Sequence, residues 1–201
     1  MPARRFSDFD GEIKRARDLV GIGQSLSSIT NGLVGGEDHF RSALVHAVAA
    51  LDSYIHGVVL DRAVDILMGR LNVAASSKVG LSFAAIGKIM TAGPPGSAAV
   101  EMSARSYVAE RLGLETYQRP DDIGAALSMV GVPKIWSTAF PVDAHPRKTA
   151  LGVIVSRRNR IVHQCDLDPL PGGTTTPITS SDALDAISVI EGIVKELDAH
   201  C

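Results

Sequence analysis

Aromatic residues are scarce in this chain of 201 residues, at 4% of the sequence. Because sandwiches of short strands depend on aromatic and β-branched side chains, a composition dominated by alanine, leucine and valine favours helices packed on helices. Only two cysteines are present, Cys165 and Cys201, so a disulfide framework is excluded, and no cysteines or histidines have zinc-finger spacing. The sequence therefore predicts a helical protein without a metal site.

Charge of one sign and long apolar runs are also missing. The formal net charge is −2, which excludes a positively charged coat of the histone type, so any contact with nucleic acid must be local. No run reaches the roughly 18 apolar residues that a membrane span needs. The N-terminal stretch MPARRFSDFDGEIKR is too charged for a signal peptide. We therefore expect a protein of the cytoplasm that has no contact with membranes.

Hydrophobic residues make up 45% of the chain, which is enough for a buried core, and its length predicts one domain, 1–201. Apolar residues at spacings of three and four predict helices rather than strands. We expect an all-α bundle with two long core helices and shorter helices around them. The two predicted long core helices are 37–69 and 145–166. The other predicted helices are 8–30, 99–113 and 179–199, with short ones within 70–99, after Pro120 and around Trp136.

The stretch RRNRIVHQCD, residues 157–166, places an arginine in an apolar stripe. At about 100° per residue, Arg158 lies at the centre of the helix face formed by Leu151, Val155, Val162 and Cys165. Burying an unpaired guanidinium is costly. Arg158 therefore needs either an acidic partner, for which Asp52 is the candidate, or an anion that binds and leaves.

The same stretch carries side chains suited to acid–base chemistry on a phosphate. Asn159 and His163 are four residues apart and share a helix face, which Asp166 extends if the helix continues to it. Arg157 and Arg160 flank this face and are candidates for binding RNA. Histidine exchanges protons near neutral pH, and arginine stabilises charge on a phosphate. This combination is what metal-independent RNA cleavage requires.

Two features of the stretch argue against a site within a single chain. Arg158 and His163 lie about 140° apart around one helix, and the stretch offers one histidine where cleavage is best served by two proton-transfer groups. A two-fold dimer with two copies of this helix across a cleft would meet both requirements.

The run from Arg158 and Asn159 to His163 resembles the R-x4-6-H motif of HEPN domains. RRNRIVHQCDLDP before a terminal helix, HFRSALVHAVAALDSYIHGVVL upstream and TYQRPDDIGAAL between them are similar to the RiboL-PSP type of HEPN protein. The resemblance covers residues 37–199, so the helix over 8–30 is an addition to it.

This resemblance implies a helical dimer whose motif helices face each other, with a metal-independent endoribonuclease activity that needs no cofactor. It implies catalytic roles for Arg158 and His163, with Asn159 supporting them. Such proteins often act as toxins or defence effectors, so an antitoxin or a defence-system protein is an expected partner. The alternatives are a HEPN module that binds nucleotide, RNA or protein without cleavage, and a helical adaptor in which Arg158 pairs with an acid.

Other polar and aromatic residues have plainer interpretations. Asp52 and His56 are four apart on the long helix, which predicts a helix-stabilising contact more than a proton relay. Trp136, the one tryptophan, is predicted to anchor packing. Cys165 continues the apolar stripe and is predicted to lie in the core.

Overall fold

The computed structural model describes residues 2–72, 77–168 and 173–201, and these form eight α-helices. Across these ranges the one β-like pairing is an isolated bridge between Leu167 and Thr175. The prediction of an all-α bundle is confirmed. The helices are α1 (Pro2–Ile29), α2 (Glu37–Leu67), α3 (Phe83–Thr91), α4 (Ala98–Leu112), α5 (Pro120–Met129), α6 (Ile135–Ala139), α7 (Ala144–Gln164) and α8 (Ser180–Asp198).

The core is built around α2, which packs against α1, α4, α5, α7 and α8. Leu51 and Ile55 of α2 are fully buried, and so are Ile187 and Ile190 of α8. The first helix starts at Pro2, earlier than predicted, because its apolar positions continue toward the N-terminus. It buries four side chains in the same core and is thus integral to the bundle; they are Phe9, Ile13, Ala16 and Val20.

Helix α2 is long and apolar enough to cross a membrane by length and composition alone. In its most apolar window, 61% of the residues are buried against the other helices of the chain. Such burial is what a core helix of a soluble protein shows, since the surface that lipid would cover is covered by protein.

Local signals in the sequence explain several helix boundaries. Thr179 and Asp182 form a reciprocal capping box at the start of α8. Pro120 occupies the first turn of α5, where its missing N–H costs nothing. Trp136 is 8% exposed and its Nε1–H donates to the Pro120 carbonyl at 2.7 Å, so its predicted role as a packing anchor is confirmed.

Helix α7 presents its last turns at the surface of the bundle. Leu151 and Val155 in its first half are buried, whereas Val162 is 47% exposed and Cys165 is exposed. The prediction that Val162 and Cys165 belong to the core was therefore wrong. The helix ends at Gln164, and Cys165 follows in the left-handed conformation with φ 50°, so the apolar stripe leaves the core before it finishes.

Candidate functional site

The outer half of α7 carries the candidate catalytic residues. With about 100° between successive residues, Asn159 lies about 40° and Arg160 about 60° from His163 around the helix. Arg158 lies about 140° away, so it does not share a face with His163. His163 is exposed, and Asn159 and Arg160 are half-buried. Within one chain the geometry groups His163 with Asn159 and Arg160 and sets Arg158 apart.

Arg158 has no carboxylate partner among the residues that the structure describes. Its Nη1 donates to Oδ1 of Asn159 at 3.1 Å. Its Nε is buried without a hydrogen-bond partner. A half-buried guanidinium that is held by a neutral amide keeps its full charge, so this site attracts anions.

Asp52 does not pair with Arg158, and that expectation was wrong. Its carboxylate accepts hydrogen bonds from the backbone N–H of Tyr117 at 2.5 Å and from Nε2 of Gln118 at 3.2 Å, and it lies 3.5 Å from His56. These bonds fasten the segment between α4 and α5 to α2. Asp52 is thus committed to the fold.

His56 is held as a charged side chain by its surroundings. Its Nδ1 lies 2.9 Å from the Asp52 carbonyl oxygen and its Nε2 lies 3.2 Å from the Leu112 carbonyl oxygen, so both ring nitrogens face acceptors. The Asp52 carboxylate and these carbonyls raise the pKa of His56 to about 9, against the opposing effect of burial. The predicted contact between Asp52 and His56 is confirmed as part of a helix-stabilising cluster.

A buried ion cluster closes the end of α7. Asp166 is fully buried, and its Oδ2 accepts from Nη2 of Arg157 at 2.7 Å and from Nε of Arg41 at 3.0 Å. The same two arginines donate to the Thr176 carbonyl, at 3.0 and 2.9 Å. The cluster therefore ties the turn after α7 and the segment before α8 to the first turns of α2.

This cluster corrects two expectations about the motif. Asp166 does not extend the face of Asn159 and His163, because Cys165 and Asp166 both have positive φ and the chain turns inward. Arg157, a candidate for binding RNA, is not free at the surface, because it is bonded to the buried Asp166 carboxylate. Sequence reasoning missed Arg41; the signal for it was an arginine among the apolar positions of α2, in HFRSALVHAV.

Arg160 remains available at the surface. It lines an open cavity of about 710 Å³ between α7 and the start of α8, together with Arg157 and Asp182. Arg157 is engaged by Asp166, and Asp182 is engaged by the Thr179 cap. Arg160 has no hydrogen-bond or ion-pair partner in the described part of the chain, so it is the second uncompensated cation on α7.

The arrangement can bind an anion and transfer a proton beside it. Arg160 supplies positive charge about 60° from His163 around the helix, and His163 is open to solvent. Arg158, whose Nη1 is held by Asn159, supplies positive charge on the other side of the helix. Within residues 2–72, 77–168 and 173–201, no group of three histidine, cysteine or carboxylate side chains could hold a metal ion.

Comparisons with family models, with curated proteins and with solved structures found no match to this chain.

Proposed function

We propose that this protein is a metal-independent endoribonuclease of the HEPN type that acts as a homodimer in the cytoplasm. One observation supports the proposal most: on the outer half of α7, Arg158 has no carboxylate partner in the described chain, is bonded to Asn159, and lies five residues from exposed His163. An arginine kept charged near a histidine suits phosphodiester chemistry.

The proposed reaction is transesterification within the RNA backbone. One imidazole takes the proton of a ribose 2′-hydroxyl, and the 2′-oxygen forms a bond to phosphorus as the bond to the 5′-oxygen breaks. A second imidazole donates a proton to the departing 5′-oxygen. Guanidinium groups stabilise the negative charge that grows on the phosphate oxygens. The products are a 2′,3′-cyclic phosphate and a 5′-hydroxyl, and neither metal nor cofactor is consumed.

The homodimer is proposed because one chain lacks part of this machinery. The outer half of a single α7 offers one exposed histidine, His163, and Arg158 lies about 140° from it around the helix. Two copies of α7 facing each other across a two-fold axis would supply two histidines and bring Arg158 of one protomer toward His163 of the other.

The biological setting follows from the resemblance to HEPN proteins of toxin and defence systems. We propose that an antitoxin or another defence-system protein restrains the activity. RNA is the proposed substrate.

Degradation of a mixed-sequence RNA in excess EDTA tests the nuclease directly. Wild-type protein should cut, His163→Ala should not, and His145→Ala should cut normally, because His145 is exposed at the opposite end of α7. Equal melting temperatures for the three proteins would show that folding is unaffected. Cutting that persists in His163→Ala, or that EDTA abolishes, would contradict the proposal.

The second candidate is a HEPN module that binds nucleotide, RNA or a protein without cleaving. The separation of Arg158 from His163 within one chain favours it, because an anion site on Arg158 does not need the histidine. RNA binding that survives His163→Ala but is lost in Arg158→Ala, without cleavage by wild type, would select this function. The adaptor in which Arg158 pairs with an acid receives no support from Asp52, whose carboxylate accepts from the Tyr117 N–H.

A further inference from the structure

The number and exposure of the aromatic side chains determine whether the bases of a nucleic acid can stack on this protein. The chain has nine aromatic residues, and the ranges 73–76 and 169–172 contain none of them. Six are buried: Phe9, Phe40, Tyr54, Tyr117, Trp136 and Phe140. Phe6 and Tyr107 are half-buried, which leaves Phe83, at 92% exposure, as the open ring of the chain.

None of these rings is free at the surface of α7. The helix itself, Ala144–Gln164, contains no phenylalanine, tyrosine or tryptophan. Trp136 and Phe140 of the neighbouring segment stack on each other with ring centroids 5.8 Å apart, and Arg147 covers Phe140. Phe83 lies on α3, which packs on α4 and has no contact with α7 in the described chain. In the described chain, a protomer thus offers no phenylalanine, tyrosine or tryptophan ring beside His163 on which a base could stack.

Positive charge, in contrast, is available at this surface. Arg158 and Arg160 have no carboxylate partner in the described chain. The remaining arginine of the run, Arg157, is paired with Asp166. Asp166 is fully buried, so it does not repel an incoming phosphate at the surface. Each protomer therefore presents two uncompensated guanidiniums on the outer half of α7, and a dimer presents four. The two of one protomer lie about 160° apart around the helix, so they would contact different phosphates of a bound strand.

We propose that the substrate is RNA of any base composition, bound through its phosphates by Arg158 and Arg160 of both protomers and without base stacking. This inference rests on the proposed nuclease and deepens it, since it names what the site reads. Guanidinium–phosphate contacts position a nucleic acid but carry no sequence information. Sequence-tolerant binders that rely on stacking need aromatic platforms, which this surface lacks.

The number of phosphate contacts predicts how steeply RNA binding weakens as the salt concentration rises. Each phosphate neutralised on a single strand contributes about −0.7 to the slope of log K against log salt concentration. Four guanidiniums predict a slope of about −3, and two, in a single protomer, predict about −1.4. Replacing Arg160 removes two contacts from the dimer and should reduce the slope by about 1.4.

The test measures fluorescence anisotropy of labelled oligo-uridine and oligo-adenosine with the His163→Ala protein, which prevents cleavage during the titration. We expect equal affinities for the two oligomers within about threefold and a slope of about −3. Adding Arg160→Ala should halve the slope. Adding Lys14→Ala, which removes an equal charge from an exposed position on α1, should leave it unchanged.

Several outcomes would overturn the inference: affinities that differ more than about tenfold between the oligomers, a slope near −1.4, a slope that Arg160→Ala does not alter, or no binding at low salt. Cleavage by wild-type protein is measured separately. If the wild-type protein cuts RNA but binds one oligomer selectively, this inference is overturned and the proposed nuclease activity stands. If binding is independent of the base but the wild-type protein does not cut, this inference is supported and the proposed nuclease activity is overturned.

Discussion

Arg158 donates a hydrogen bond to its neighbour Asn159, from Nη1 to Oδ1 at 3.1 Å. The acceptor is a neutral amide, so the bond orients the guanidinium without neutralising it. This is the difference between a structural ion pair and a cation that is kept for a ligand. Arg157, the preceding residue, differs from Arg158 because its partner is the buried Asp166 carboxylate.

Replacing Asn159 by aspartate should therefore weaken RNA binding more than replacing it by alanine. Aspartate keeps the size and the acceptor oxygen but places a negative charge against Arg158. Alanine removes the bond and leaves the guanidinium charged. We expect Asn159→Asp to lose about tenfold in affinity, the equivalent of about 1.4 kcal/mol, and Asn159→Ala to lose less. The affinities are measured by titrating RNA with each variant combined with His163→Ala. Equal losses of affinity for Asn159→Asp and Asn159→Ala would show that the charge of Arg158 does not contribute to RNA binding.

Asp166→Asn should destabilise the fold, because it leaves Arg41 and Arg157 without their shared carboxylate. Breaking a buried pair by removing one partner costs about 3 to 5 kcal/mol, a large part of the roughly 5 to 15 kcal/mol of a typical domain. Urea unfolding measures it. Asp38→Asn is the matched control, since Asp38 also pairs with Arg41 but its side chain is 95% exposed; it should cost under about 1 kcal/mol. Similar values for the two variants would contradict the buried cluster.

His56 should make the stability of the fold depend on pH. Its pKa is raised to about 9 in the folded protein, against about 6.5 in an unfolded chain. A raised pKa means that the folded state binds the proton more tightly, so the stabilisation is fully present below pH 6.5 and is lost as the pH rises through 9. The side chain is 26% exposed, so we expect a loss of about 1 to 2 kcal/mol after solvent screening.

Urea unfolding at pH 6 and pH 9.5 checks this prediction. His56→Gln should remove most of the difference, whereas His145→Gln, at an exposed position, should retain it. A wild-type protein as stable at pH 9.5 as at pH 6 would refute the charged state of His56. Asp52 titrates in a separate window: burial opposes its ionisation, but the bonds from His56, Tyr117 and Gln118 prevail and lower its pKa, so its contribution is lost only in acid.

Mixing wild-type protein with His163→Ala tests whether the site is shared between protomers. In the proposed dimer each cleavage uses His163 of both protomers, so a dimer of one wild-type and one His163→Ala chain is inactive. Random exchange of equal amounts places half of the wild-type chains in such mixed dimers, so cleavage should fall to about half of that of the unmixed wild-type protein. Unchanged cleavage, with exchange verified by mass spectrometry, would place each site within one chain.

The helices could be predicted from the sequence because their signals are local. The three- and four-residue spacing of α2 and the Thr179–Asp182 cap of α8 depend on neighbours along the chain. The end of α7 could not be predicted from the sequence, because two non-glycine residues, Cys165 and Asp166, adopt a left-handed conformation. Arg41 stabilises this turn by its bond to Asp166, although it lies 125 residues away in the sequence. A periodic pattern carries no information about such a partner.

The candidate site was predictable in its residue types but not in their grouping. The helical projection correctly separates Arg158 from His163, yet it cannot tell which arginine of the run is neutralised. That depends on Asp166 turning inward, which commits Arg157 to the fold and leaves Arg160 open. Likewise, Asp52 seemed a partner for Arg158 because both lie on apolar faces, but the backbone N–H of Tyr117 claims its carboxylate.

The chemical nature of the cut RNA ends tests the central claim most directly. A short RNA labelled at its 5′ end is incubated with the protein in excess EDTA, beside the His163→Ala variant, and the products are identified by mass spectrometry. A 2′,3′-cyclic phosphate formed by the wild type alone is the predicted result. Products ending in a 3′-hydroxyl, products formed equally by His163→Ala, or no products from a well-folded dimer would contradict proton transfer by His163.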